Sequence, residues 1–245
     1  RHRGSKMKNG EANGSQPVAE MFVDDAMKVS QGSARRGASA WYYPIDGGDF
    51  DELVHYLETF TDGNNAGWCL TDEFRDKLLS GDKDAVNRWG KMLSCKGNVG
   101  SGYQFFVDKA NRKAPQMYKD KSLKIKSSQL CSEITLFSDS DNTFTCVLAS
   151  ENLRKYDERP KMLAFVGTVM LDCVASDFIE KAKEKGNMER AVRFTEQSRA
   201  LGYGVMAFHT YLLDHSIVWG SLESKFTNIK MFSTIKSEAT QATQW

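Results

Sequence analysis

The chain has 245 residues and carries 33 Lys and Arg against 32 Asp and Glu, a balance that excludes a strong overall field for nucleic acid or an anionic membrane surface. Its 40% hydrophobic content is typical of a globular protein. No stretch approaches the roughly 18 apolar residues that span a bilayer, and the polar start lacks the apolar part of a secretory signal, so we expect a cytoplasmic protein without membrane or direct nucleic-acid partners.

In the first half of the chain, the pattern predicts short strands followed by helices. Residues 1–17 show no apolar periodicity and are expected to be loop, and an amphipathic helix is expected from Pro17 to about residue 29. A strand is predicted over 38–43, and a helix follows at a capping box formed by Asp49 and Glu52. Further helices are predicted over 71–79 and 85–93, and a strand over 103–107. Strand followed by helix favours α/β architecture.

In the second half, two strand-like apolar runs cover 130–137 and 143–148, with a turn-rich segment between them. After Pro160 an apolar helical stripe predicts a helix in which Cys173 faces the core. Helices are also predicted over 188–200, 205–213 and 222–240. We see no repeat and no interdomain linker, and therefore expect residues 1–245 to form one body without separate domains.

The cysteines do not suggest a disulfide scaffold or a metal site. They are five in number, widely spaced and without a C-x-x-C pair. A structural zinc site usually includes at least one closely spaced ligand pair. We therefore predict no metal site, and thiols in a reducing compartment.

The segment around Cys131 carries the strongest chemical signal. If 130–137 is extended, the side chains of Gln129, Cys131 and Glu133 project from the same side of the backbone. An amide, a thiol and a carboxylate would then share one small space. The structural alternative is a half-buried strand whose polar side faces solvent.

Five collinear segments resemble the class I ribonucleotide reductase large (alpha) subunit, phage-encoded examples in particular. Residues 128–134, S-Q-L-C-S-E-I, resemble its S-N-L-C-x-E-I segment. Residues 4–11 resemble the loop that reads the substrate base, and residues 30–38 resemble the S-Q-G-x-x-R-x-G-A turn that follows it. Residues 145–153 are similar to the C-x-L-S-x-x-N-L redox segment, and residues 199–208 to R-x-L-G-x-G-V-x-x-F.

The resemblance implies a fold and a reaction. The chain would be the central part of a ten-stranded α/β barrel, without the N-terminal effector domain and the C-terminal portion, and Cys131 would sit on the finger loop inside it. Cys131 would form a thiyl radical that takes the 3′ hydrogen of a ribonucleotide, and burial would protect that radical. Glu133 would be the general base for the 3′ hydroxyl. Gln129 stands where the family has asparagine, and Cys146 matches one of the two reducing thiols.

The resemblance also implies substrate contacts and partners. Ser128, Lys6, Lys8, Arg35 and Arg36 would bind substrate, the basic residues being flanked by glycines that permit close approach to an anion. Partners would be complementary alpha-subunit fragments, a radical-generating beta subunit, a ribonucleoside diphosphate, and a thioredoxin or glutaredoxin-type reductant. No cofactor would bind directly: a metal-containing small subunit would supply the radical, and nucleotide effectors would bind the complete enzyme.

Two other readings remain open at this level. Because Gln129 displaces the family's amide by one methylene, and because a misplacement of about 1 Å can cost roughly 100-fold in rate, a degenerate paralogue with a binding or structural role is one alternative. An unrelated thiol-dependent enzyme that uses Cys131 with His209 is another.

Overall fold

The computed structural model describes residues 1–29 and 36–245, which form two compact units, Arg1–Ser138 and Asp139–Trp245. Each unit is a parallel sheet with helices packed beside it, as the strand-then-helix pattern predicts. The expectation that both belong to one barrel without separate domains stays a prediction.

The first unit alternates strands and helices. Its elements are β1 (Lys6–Met7), β2 (Gly10–Glu11), α1 (Gln16–Lys28), β3 (Ser39–Pro44), α2 (Phe50–Thr59), β4 (Asn64–Leu70), α3 (Asp72–Leu79), α4 (Lys83–Val99), β5 (Tyr103–Phe106), α5 (Val107–Lys113) and α6 (Gln116–Asp120). Strands β1 and β2 form an antiparallel hairpin, while β3, β4 and β5 form a parallel sheet in that order.

The two faces of the β3-β4-β5 sheet differ in what covers them. On one face Trp41 meets Trp68 edge-on, with ring centroids 5.4 Å apart, and Phe50 of α2 packs against Trp68 at 4.9 Å. This face carries the unit's hydrophobic core. On the other face, the Tyr42 ring packs over Gly67, where a Cβ would meet the ring at 2.1 Å, so only glycine fits there.

Most predicted elements of this unit are confirmed, but residues 1–17, expected to be loop, contain the β1-β2 hairpin, and helices α5 and α6 were not predicted. Strand β4 was missed, although it is the central strand. The capping box is wrong: Asp49 precedes α2 without capping it, because its carboxylate accepts the backbone N–H groups of Arg3 at 2.7 Å and Ser15 at 2.8 Å. Glu52 instead pairs with the guanidinium of Arg3. These two carboxylates hold the N-terminal residues against α2.

The second unit has two parallel strands and four α-helices. Its elements are β6 (Leu148–Asn152), a 3₁₀ helix (Leu153–Glu158), α7 (Leu163–Lys185), α8 (Glu189–Ser198), β7 (Gly202–Met206), α9 (Phe208–Asp214) and α10 (Leu222–Gln244). Strand β6 pairs with β7, and its Glu151 lies opposite Val205.

Three predictions for the second half are wrong. Residues 130–137 form no strand, and the run at 143–148 reaches a strand only at Leu148, where β6 begins. The helix predicted over 205–213 is the end of β7 followed by α9. Apolar runs of this length do not distinguish strand, helix and irregular chain, because the partner that completes the backbone hydrogen bonds lies elsewhere in the sequence.

Helix α7 presents the opposite face from the one predicted. Its small residues Ala164, Thr168 and Ala175 are buried, and the predicted core stripe is half-buried at Phe165, Val169 and Phe178 and exposed elsewhere, including at Cys173. Small side chains allow the close packing of α7 on α10. Within the described residues, no helix has the length and apolar character needed to cross a membrane.

A buried ionic cluster joins the elements of the second unit. Arg159 pairs with Glu238 of α10 at 2.8 Å and with Glu151 of β6 at 3.2 Å, and all three side chains are at most 10% exposed. Glu238 also accepts the Ala164 N–H at 3.0 Å, and Tyr203 donates to Glu151 at 2.8 Å. Burial would raise the pKa of Glu238, but the bonds from Arg159 and the backbone outweigh it and lower the pKa.

Candidate functional site

Cys131 lies at the tip of a turn, not on a strand. The Ser132 N–H donates to the Gln129 carbonyl oxygen at 3.1 Å, and Ser132 follows with φ of +69°. The expected alternation of Gln129, Cys131 and Glu133 therefore does not hold. Cys131 and Glu133 are both exposed in this chain, and the predicted burial of the thiol is not seen here.

The side chains of Ser128 and Gln129 stabilise this turn from within. The Gln129 Oε1 atom accepts the Ile134 N–H at 2.7 Å, and the Ser128 hydroxyl donates to the Ile134 carbonyl oxygen at 2.6 Å. Ser128 is only 4% exposed. The Gln129 Nε2 atom is buried and has no hydrogen-bond partner among the described residues. In this conformation both side chains serve the turn rather than reach into open space.

Two side chains of the β3-β4-β5 sheet contact the irregular segment, residues 126–129, that leads into the Cys131 turn. The Tyr42 hydroxyl of β3 donates to the Gln129 carbonyl oxygen at 2.9 Å, and the Cys69 thiol of β4 lies 3.7 Å from the Lys126 carbonyl oxygen. Burial raises the pKa of both groups, that of Cys69 to about 11. A neutral phenol is a good donor to a carbonyl and a neutral thiol a weak one, so the Tyr42 bond is the main contact by which this face of the sheet holds the turn of Cys131.

A cavity of about 540 Å³ opens beside Cys131 at the amino-terminal ends of β4 and β5. Its walls include Leu130 of the turn, Asn65 of β4, Ser101, and Tyr103 of β5. None of the described residues that line it carries a charge. The arrangement therefore places a thiol at the edge of a neutral polar space.

The predicted basic contacts that the structure describes, Lys6, Lys8 and Arg36, lie apart from this cavity's walls. Lys6 and Lys8 are exposed on the β1-β2 hairpin and beside it, and Arg36 pairs with Asp62 at 3.3 Å on the surface. Arg35 and most of the 30–38 turn lie outside the described residues. None of Lys6, Lys8 and Arg36 lines the Cys131 cavity, and their proposed contact with substrate is untested.

Cys146 is exposed in the second unit, just before β6. The neighbouring Val147 carbonyl oxygen accepts the Gly202 N–H at 2.9 Å, which continues the pairing of β6 with β7. The sheet therefore fixes the backbone beside this thiol.

Comparison with known proteins identifies the family. A family model described as "Ribonucleotide reductase, barrel domain" matches residues 75–244. The chain belongs to the ribonucleotide reductase barrel family. This confirms the resemblance inferred from the five motifs.

Similar proteins agree with the family assignment. A Frog virus 3 (isolate Goorha) protein, provisionally named ribonucleoside-diphosphate reductase large subunit, is 32% identical over 94% of this chain and 45% of its own length. The ribonucleoside-diphosphate reductase large subunit of Invertebrate iridescent virus 3 is 34% identical over 69% of this chain and 27% of its own. The solved class Id ribonucleotide reductase alpha subunit of Actinobacillus ureae superposes with a TM-score of 0.90 at 34% identity, covering all of this chain and 46% of that one.

The structural match confirms the predicted fold class. The fold is part of the α/β barrel of a ribonucleotide reductase alpha subunit, and among the described residues it comprises the parallel sheet β3-β4-β5 in the first unit and the parallel pair β6-β7 in the second. The chain spans less than half the length of the relatives named above.

Motif reasoning missed three residues of the site: Tyr42, Asn65 and Ser101. None of them lies in the Cys131 motif. They belong to β3, β4 and the turn before β5, and only the fold brings these elements close to Cys131. A signal for Asn65 existed in the run 64–70, which has the length and apolar content of a buried strand. The Gly100-Ser101-Gly102 sequence likewise marks a tight turn, and both glycines have positive φ.

Proposed function

We propose that this chain supplies the radical-cysteine segment of a ribonucleoside-diphosphate reductase, which converts ribonucleotides to deoxyribonucleotides for DNA synthesis. The observation that carries the proposal is a turn presenting Cys131 to an uncharged cavity, in a chain of the ribonucleotide reductase barrel family. A neutral cavity suits the sugar, because the chemistry takes place on the ribose.

The first steps of the reaction would use Cys131 and Glu133. A Cys131 thiyl radical would take the hydrogen atom from C3′, becoming a thiol and leaving a carbon radical on the sugar. Glu133 would accept the 3′ hydroxyl proton, and the 2′ hydroxyl would take a proton from one of the two reducing thiols and leave as water. General-base help of this kind contributes roughly 10²–10⁴-fold. Gln129 would hold the turn through Ile134 while this happens.

The reduction needs two electrons and two protons in all. Cys146 and a second thiol would supply them and become a disulfide, one of the protons leaving with the water, and Glu133 would return its proton to the 3′ oxygen. Cys131 would then return its hydrogen atom to C3′ and regain the radical. A thioredoxin or glutaredoxin-type protein would reduce the disulfide between turnovers.

The remaining parts would come from other polypeptides or segments. A radical-generating beta subunit with its own metal would oxidise Cys131, so this chain would bind no metal itself. Complementary alpha-subunit segments would add the effector domain and the binding site for the diphosphate, and would bury Cys131. We propose that the 245-residue chain alone is inactive and that it works in the cytoplasm.

Reconstitution tests the proposal. The chain is mixed with polypeptides carrying the upstream and downstream regions of a related alpha subunit and with a beta subunit, and deoxyribonucleotide formation is measured. Turnover should appear in the mixture, vanish with Cys131→Ser, and fall about 100-fold or more with Glu133→Gln.

Cys173→Ser is the matched control, because Cys173 is also exposed but lies on α7 away from the motif. Its turnover should equal that of the unmodified chain. Turnover that survives Cys131→Ser, or a mixture that binds beta subunit and nucleotide without any turnover, would contradict the proposed function.

A further inference from the structure

The carboxamide of Asn65 is held in one orientation by the fold. Its Oδ1 atom accepts the Ser101 hydroxyl proton, the Gly102 N–H at 3.2 Å and the Ala66 N–H at 2.8 Å. Three donors on one oxygen fix that oxygen toward the turn before β5. The Nδ2 group of Asn65 is therefore available to donate a hydrogen bond, and it has no acceptor in the part of the chain that the structure describes.

Ser101 is presented by a turn that only small flexible residues can make. Gly100 and Gly102 on either side have φ of +74° and +94°. Because the Ser101 hydroxyl gives its proton to Asn65, its oxygen keeps lone pairs that can accept. Asn65 and Ser101 both line the cavity beside Cys131. One unused donor and one unused acceptor therefore stand side by side at its wall.

A hydroxyl group matches this pair, since it accepts from an amide N–H and donates to an oxygen at the same time. Phosphate does not, because the described walls offer it no cation. We infer that Asn65 and Ser101 bind a ribose hydroxyl of the ribonucleotide and position the sugar beside Cys131, while the phosphates lie outside this cavity. The identity of the ligand as a ribonucleotide rests on the proposed function.

The test measures protection of Cys131 in the full 245-residue chain. The rate of Cys131 alkylation by iodoacetamide is followed by mass spectrometry with increasing uridine, 2′,3′-dideoxyuridine or uracil. Uridine should slow alkylation, whereas dideoxyuridine and uracil, which both lack the 2′ and 3′ hydroxyls, should not. Equal protection by uracil, or no protection by uridine up to its solubility, would overturn the assignment.

Two variants test the contribution of Asn65 and Ser101 separately from that of the other residues lining the cavity. Asn65→Asp keeps the oxygen that accepts three bonds, replaces the Nδ2 donor by an acceptor oxygen and adds a negative charge, and Ser101→Ala removes the acceptor. Each should raise the uridine concentration for half-protection about five- to tenfold, with little change in the alkylation rate without uridine. Asn98→Asp, on the exposed side of α4, adds the same charge and should change nothing. Unaltered protection in Asn65→Asp would refute the inference.

In the reconstituted enzyme, Asn65→Asp should raise KM for the ribonucleotide more than it lowers kcat. If turnover depends on Cys131 but KM is unchanged in Asn65→Asp, the inference fails and the proposed function stands. If uridine protection is lost in Asn65→Asp but no mixture reduces ribonucleotides, the proposed function fails and the sugar site stands.

Discussion

The hydroxyl of Tyr42 donates a hydrogen bond to the carbonyl oxygen of Gln129 at 2.9 Å, although the two residues are 87 positions apart. Tyr42 is on β3 and packs edge-on against Phe105 of β5, with ring centroids 5.8 Å apart. Gln129 opens the turn that presents Cys131. This bond therefore joins the sheet to the turn that carries the proposed radical site.

Removing that bond should loosen the turn. We expect Tyr42→Phe to destabilise the full chain by about 1 kcal/mol, as for one lost hydrogen bond, and to speed amide exchange at Ser132. Urea unfolding and hydrogen exchange measure the two effects. Tyr56→Phe is the matched control, because the Tyr56 hydroxyl is buried and has no partner among the described residues. It should be neutral or slightly stabilising, and equal losses in both variants would contradict the role of Tyr42.

Shortening Gln129 should free the Ile134 amide. In Gln129→Asn the side-chain oxygen is withdrawn by one methylene and no longer reaches the Ile134 N–H, now 2.7 Å away. Exchange of that amide should speed up about fivefold, the equivalent of about 1 kcal/mol. Gln129→Glu keeps an oxygen at the same reach and should retain more protection. If Gln129→Asn leaves Ile134 protected, another acceptor holds the turn.

The cysteines should differ in reactivity according to burial. Burial raises the pKa of the Cys69 and Cys95 thiols to about 11, so almost no thiolate forms at pH 8, whereas Cys131 is exposed. In folded protein, iodoacetamide should label Cys131 well before Cys69 or Cys95, as read by peptide mass spectrometry. In urea the differences should vanish. Rapid labelling of Cys69 in folded protein would show that the segment over it opens easily.

The same thiols make stability depend on alkaline pH. A pKa raised in the folded state above its ordinary value of 9.0 means that the folded chain holds the proton longer than the unfolded chain does. The contribution of these two thiols to stability should therefore be constant below about pH 8 and should fall between pH 9 and 11. Cys95→Ala should lessen the slope in that window, as measured by urea unfolding. A slope identical to that of the unmodified chain would argue against the thiol's contribution.

Breaking the buried ion cluster of the second unit should be costly. Arg159→Leu leaves the carboxylates of Glu151 and Glu238 buried without their cation, which typically costs about 3–5 kcal/mol. Arg154→Leu is the control, because its pair with Asp214 is exposed and contributes little. Urea unfolding of both variants measures the difference. A small loss in Arg159→Leu would mean that water reaches the two carboxylates.

The cluster also gives a pH dependence with a definite sign. The pKa of Glu238 is lowered in the folded chain, so its contribution is complete above its ordinary value of 4.5 and is lost as pH falls through the lower folded value. In Arg159→Leu that pKa should rise instead, because burial, the largest influence on it, is then opposed only by the backbone bonds from Ala164 and Met162. Stability of the variant should improve as pH falls from 7 toward 5, whereas the Glu238 contribution in the unmodified chain stays constant over that range.

The amino-acid sequence by itself was enough to identify the family and to predict the helices that bury one face. The Cys131 segment and four other motifs keep their spacing, and periodic apolar residues such as those of α2 are read locally. It also located strands β3 and β5, since each is flanked by turn residues and followed by a helix. These features depend on neighbours in the sequence, which is why they could be predicted.

Only the tertiary structure decided what surrounds Cys131. Residues 130–137 have the apolar pattern of a strand but pair with no strand among the described residues. Side chains of Tyr42, Ser128 and Gln129 hold this turn instead. Asn65 and Ser101 line the same cavity as Cys131 because β4 pairs with β5. Strand pairing is set by contacts between residues that are distant in the sequence. The local sequence specifies the chemistry of each side chain, whereas the pairing of the strands decides which side chains lie close together.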